Sequence, residues 1–124
     1  MRARRSTPAV LALAASLGMT GCASGGDAGF CGPLHDDHET AAVAFDPLIP
    51  GTDDADTVRT RLALVEKLEP TPELADDLQV WTDYLDDAVD TIHDDPDAVV
   101  AAHDGDVAAA GEALSDYYGG ICLR

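Results

Sequence analysis

The stretch that decides the fold is Thr71-Pro72-Glu73-Leu74-Ala75-Asp76-Asp77-Leu78-Gln79-Val80-Trp81-Thr82-Asp83-Tyr84-Leu85-Asp86-Asp87-Ala88-Val89-Asp90-Thr91-Ile92. Leu74, Leu78, Trp81, Leu85, Val89 and Ile92 recur at helical spacing and share one face. Asp76, Asp83, Asp87 and Asp90, with Asp94 beyond, fall on the opposite face. The pattern predicts an amphipathic helix of about five turns with its acids outward. Thr71 suits the N-cap, Pro72 the first helical position and Glu73 the first turn.

Outward from this helix, proline and glycine divide the chain into further helical segments. One runs from about Pro33 to Phe45, with Leu34, His38, Ala41, Ala42 and Phe45 on a face; Asp46-Pro47-Leu48-Ile49-Pro50-Gly51 ends it. A second runs from about Asp54 to Leu68, with Val58, Leu62, Val65 and Leu68 inward. Asp53, Asp54 and Asp56 stand at its start, where the helix dipole favours anions. The fourth begins at Asp95-Pro96, a cap followed by proline. Val100, His103, Val107, Ala110, Leu114 and Tyr117 share its face, Asp104-Gly105-Asp106 breaks or kinks it, and Gly119-Gly120 ends it. No run alternates as a half-buried strand. Four such segments with short connections predict an all-α domain, a small antiparallel four-helix bundle.

Of 124 residues, 21 are Ala and 19 Asp; 24 acids face 7 bases, for a formal net charge of −17. That length accommodates one small domain. The balance argues against nucleic acid as a partner, because phosphate contacts need Lys and Arg. Asn is absent, so there is no N-glycosylation acceptor.

The first thirty residues have a different character. Arg2, Arg4 and Arg5 precede a short apolar run, Pro8 to Leu17, and small residues follow. This is the layout of a secretory signal peptide, too short for a comfortable bilayer span. Met19-Thr20-Gly21-Cys22 resembles the lipobox of bacterial lipoproteins, although Met19 stands where Leu is commonest. The resemblance covers the leader alone. It implies cleavage before Cys22 and a diacylglyceryl group on its thiol. The protein would then be exported and anchored by lipid to the outer face of the cytoplasmic membrane. Gly21-Cys22-Ala23 also reads as an ordinary cleavage site, the alternative being a secreted protein.

The expected organisation is thus a signal peptide over 1–21, a flexible tether over 22–30 and a helical domain over 31–124. Removing 1–21 leaves 24 acids against Arg59, Arg61, Lys67 and Arg124, a side-chain net of −20. Anchoring would rest on acyl chains, since anionic headgroups repel such a surface.

With Cys22 lipidated, Cys31 and Cys122 remain, at the start and end of the domain. In an up-down-up-down bundle those ends meet, so topology and export both point to a disulfide. A metal pair or free thiols are the alternatives. A Cys before the first helix and Tyr117-Tyr118 running into Cys122 also resemble small exported helical proteins of actinobacteria. No activity comes with that resemblance.

Several clusters could carry chemistry. On a continuous helix His35, His38 and Glu39 would present two imidazoles and a carboxylate to one divalent metal. His93 and His103 could join if helix ends met. Asp53, Asp54, Asp56 and the pair Asp104 and Asp106 could bind calcium weakly, although neither group follows the EF-hand loop. The stripe Asp76, Asp83, Asp87, Asp90 and Asp94 could meet a cationic ligand or an envelope protein; solvation of a charged face is the plainer account. Trp81 belongs to the core, whereas Tyr84 and Tyr118 lie off their stripes and could make exposed contacts. No G-x-S-x-G, P-loop or dinucleotide fingerprint is present. The reading is therefore a membrane-tethered, non-enzymatic binding module needing no cofactor; its alternative is a metal-binding envelope protein.

Overall fold

The computed structural model describes residues 25–124. The leader, Cys22 and the start of the expected tether lie outside the described residues. Six α-helices follow in order: α1 (Gly25–Asp36), α2 (His38–Ala41), α3 (Ala55–Val65), α4 (Ala75–Thr91), α5 (Pro96–Ala102) and α6 (Gly105–Tyr117). A π-helical turn, Tyr118–Cys122, closes the chain, with Leu123 N donating to Tyr118 O at 3.1 Å. Among the described residues there is no strand, only an isolated bridge between Pro50 and Asp53. The all-helical expectation holds.

The central element is α4. It packs on α3 along one side and on α6 along the other. Leu74, Leu78, Trp81, Leu85 and Ile92 are buried, as the periodicity predicts, whereas Val89 is partly buried and Ala88, off the predicted stripe, is buried. Trp81 is fully buried, and its Nε1 donates to Ala44 O at 2.9 Å. Its six-membered ring lies against Gly111 of α6, where a Cβ would approach Trp81 Cζ3 to 2.7 Å. Glycine at 111 is what lets the two helices close over the indole.

The first segment departs from its expected bounds. Helix α1 begins at Gly25, inside the expected tether, and Phe30 is fully buried. The glycines suggested slack, but packing overrides propensity here. The Phe30 ring stacks on Phe45 at 6.0 Å and meets Tyr117 edge-on at 5.2 Å. Gly29 O accepts from Glu69 N at 3.1 Å, so the two backbones approach closely. A Cβ on residue 29 would fall 2.8 Å from Glu69 Oε1. The helix stops at Asp36, and Asp37 caps α2 by accepting from Thr40 N at 3.2 Å. That break throws His38 and Ala42 outward, contrary to the predicted stripe.

Three local expectations need correction. Thr71 does not cap α4: the helix starts at Ala75 behind a turn, and Thr71 is buried with its hydroxyl unpartnered. In the fourth segment Val99 is buried while Val100 is 57% exposed. The segment does break where Asp104-Gly105-Asp106 suggested, but α5 and α6 are then separate helices whose phases do not run on as one face. Gly119-Gly120 does not end the segment, which continues to Cys122. Asp95 caps α5 as expected, accepting from Ala98 N at 3.2 Å.

Cys31 and Cys122 are paired across 91 residues, with Cα atoms 5.3 Å apart. Both are buried. His35 Nε2 lies 2.8 Å from Cys122 O, and Tyr117 Oη donates to Asp27 Oδ1, so α1 is joined at three points to the end of α6 and the C-terminal turn. No described helix is long and apolar enough to cross a membrane.

Candidate functional site

The acid face of α4 is the site the sequence indicates, and the structure gives it a setting. Asp76, Asp83, Asp87, Asp90 and Asp94 are all exposed. Asp83, Asp87 and Asp90 edge a cleft of about 630 Å³ between α4 and the α5–α6 pair; Asp76 and Asp94 lie outside it. The apolar walls come from Val80 and Ala88 of α4, Val99 and Ala102 of α5, and Val107 of α6. The turn at His103 and Asp104 swings α5 away from the line of α6 and shapes this opening. Small side chains at 88, 98 and 102 leave it unfilled.

Among the described residues the ion pairs are Arg59 to Asp56 at 2.8 Å and Arg61 to Asp53 at 2.9 Å. Neither draws on an α4 carboxylate. Asp83 accepts only a neutral contact, from Gln79 Nε2 at 3.0 Å. Among the described residues no ion pair neutralises the negative charge at the cleft edge.

Buried polar groups elsewhere serve the fold. Arg61 is 6% exposed and Asp53 9%. The guanidinium also donates to Asp46 O at 3.0 Å, and Asp53 Oδ2 accepts from Ile49 N at 2.8 Å. This network ties α3 to the loop before it. Asp53 is thus a structural partner and not the dipole-facing acid expected. Asp54 and Thr57 form a reciprocal capping box, and the Thr57 amide holds the Asp54 carboxyl below its usual range. The side chain and amide of Thr40 do the same for Asp37.

Tyr84 is buried, not exposed as expected; its Oη accepts from Leu48 N at 3.1 Å, and desolvation raises its pKa. Tyr118 is half-buried against Phe45, and Tyr117 lies against Phe30. The hydrogen bond to the Asp27 carboxylate pushes the Tyr117 pKa up to about 12.

The metal centre of the alternative reading does not assemble among the described residues. Among the described residues no group of three His, Cys, Asp or Glu is placed to hold a metal ion. His35, His38 and Glu39 lose their helical spacing at Asp37, and His35 is engaged by Cys122 O. His93 opens onto a cavity of about 620 Å³ beside Asp53, Asp54 and Asp56, whose carboxylates already serve Arg61, Thr57 and Arg59. His103 does not border that cavity; its ring lies 6.1 Å from that of Trp81 and 5.8 Å from that of Tyr84.

The apolar walls of the cleft escaped the sequence reading. Val80 lies off the predicted core stripe, and the cleft arises where two helices diverge. The available signal was a valine and small alanines beside an acid row. No family model matches the chain, and no curated protein or solved structure matches it.

Proposed function

We propose that this protein is a membrane-tethered, non-enzymatic binding module of the bacterial cell envelope. The uncompensated acid face of α4 carries the reading: Asp83, Asp87 and Asp90 stand beside an apolar cleft with no basic partner from the chain among the described residues. An exposed carboxylate row has little structural use, because like charges on one helix face repel. It suits a positively charged partner, either a cationic ligand or an envelope protein.

Met19-Thr20-Gly21-Cys22 supports the tether, and the Cys31–Cys122 pair suits an oxidising compartment outside the cytoplasm. In this reading the helices group as four antiparallel arms, α1 with α2, then α3, α4 and α5 with α6.

The test is an intact mass of protein taken from host membranes. Acyl chains on Cys22 are expected, and Cys22→Ala should leave the membrane fraction. Unacylated protein recovered from the medium, with the leader removed, would make it an ordinary secreted domain.

A further inference from the structure

We infer that the cleft between α4 and the α5–α6 pair binds a linear aliphatic polyamine. The inference deepens the binding-module reading by naming a ligand class, and it does not depend on the lipid anchor. Two properties of one cleft carry it. Its accessible walls are mostly hydrocarbon, from Val80, Ala98, Ala102 and Val107, with the buried Ala88 and Val99 also bordering it. One edge is a row of carboxylates, Asp83, Asp87 and Asp90, and no Lys, Arg or His among the described residues lines the cleft.

A metal ion suits the edge but not the walls. It keeps a hydration shell and gains nothing from apolar surface. An uncharged apolar ligand suits the walls but leaves three carboxylates without a partner. A chain of methylenes carrying ammonium groups satisfies both, as the stem of a lysine does when it covers apolar surface with its head in polar surroundings.

Spacing selects among such cations. At a rise of about 1.5 Å per residue, Asp83 and Asp87 stand about 6 Å apart along the axis, and Asp87 and Asp90 about 4.5 Å. In an extended chain with bonds of about 1.5 Å, amines separated by four and three methylenes repeat at roughly 6 and 5 Å. A triamine with those two spacers can place one nitrogen near each carboxylate while its methylenes lie on the apolar walls. The volume, about 630 Å³, leaves room for it beside water.

The strongly acidic chain attracts every cation to some degree, so the test must separate a fitted ligand from a counterion cloud. Spermidine is titrated into the full chain by calorimetry, with magnesium and 1,4-diaminobutane at matched ionic strength. Spermidine is expected to saturate one site and to bind at least about tenfold more tightly than either competitor. Asp83→Asn with Asp87→Asn and Asp90→Asn should weaken it by about tenfold or more. The control Asp36→Asn with Glu66→Gln and Asp116→Asn removes equal charge from exposed positions elsewhere and should change it less than about threefold. Ala102→Leu, which narrows the cleft and keeps every charge, should weaken spermidine and leave magnesium unaltered.

Equal binding of spermidine and magnesium, or equal loss in the two triple variants, would overturn the proposal in favour of a diffuse field. A basic amphipathic peptide that shifts the amide signals of Ala88 and Ala102 while spermidine shifts none would also overturn it, placing a protein segment on this face. Neither result bears on acylation of Cys22, so failure here is distinguishable from failure of the tethered reading.

Discussion

Residue 111 must stay small. A methyl there meets the buried Trp81 ring at 2.7 Å, and neither helix can withdraw without opening the core. Gly111→Ala should cost about 1–3 kcal/mol despite the better helix propensity of alanine; urea unfolding followed by Trp81 fluorescence measures it. Arg61→Met should cost about 3–5 kcal/mol, because it leaves Asp53 buried and unpaired. Adding Asp53→Asn, which keeps an acceptor for Ile49 N, should recover much of that loss in the same assay.

Tyr117 sets an alkaline limit. Its phenol ionises near 10.0 ordinarily and at about 12 beside Asp27. The contribution is complete below pH 10 and is lost as pH rises toward 12, because the unfolded chain sheds the proton first. Tyr117→Phe should show a smaller loss of stability over that interval. Trp81 and Leu85 were legible from the helical period. The Arg61–Asp53 pair was not, because 24 acids offer that arginine too many equivalent partners in sequence.

The helices differ in how they hold. α4 is supported along both flanks by α3 and α6, whereas α5 has seven residues and one buried side chain, Val99. A helix that short depends on its ends. Asp95→Ala should destabilise it by about 1 kcal/mol, seen as faster hydrogen exchange in α5 with α4 amides unchanged. Element type was legible because the period of α4 persists over several turns. Phase was not: the break at Asp37 reverses the facing of His38, and the turn at His103 exchanges Val100 for Val99. Each break is a local capping choice that outweighs the continuing pattern. The candidate cleft follows from the second break, so it could not be read before the helices were placed.

The whole molecule closes on itself through Cys31 and Cys122. A loop of 91 residues is long, so the bond removes much unfolded-chain entropy, about 4–5 kcal/mol on the chain-entropy model. Reduction should lower the melting temperature strongly; an unchanged value would show that the pairing contributes nothing. Count and position made this pairing legible, since two cysteines remained at opposite ends of an all-helical domain expected to bring its ends together. The opening of the domain was not legible, because glycines read as slack where Phe30 anchors a helix.

Helix α1 starts at Gly25, three residues after Cys22. Three residues reach at most about 10 Å when fully extended. With acyl chains on Cys22, the body has almost no leash. It would ride against the headgroups, steered by the axis of α1 like a rudder on a short post. Its acidic flank would be turned from an anionic leaflet by repulsion over roughly the same distance, one Debye length at physiological salt. Which way the cleft looks would then be set jointly by ionic strength and by the tilt of a single helix.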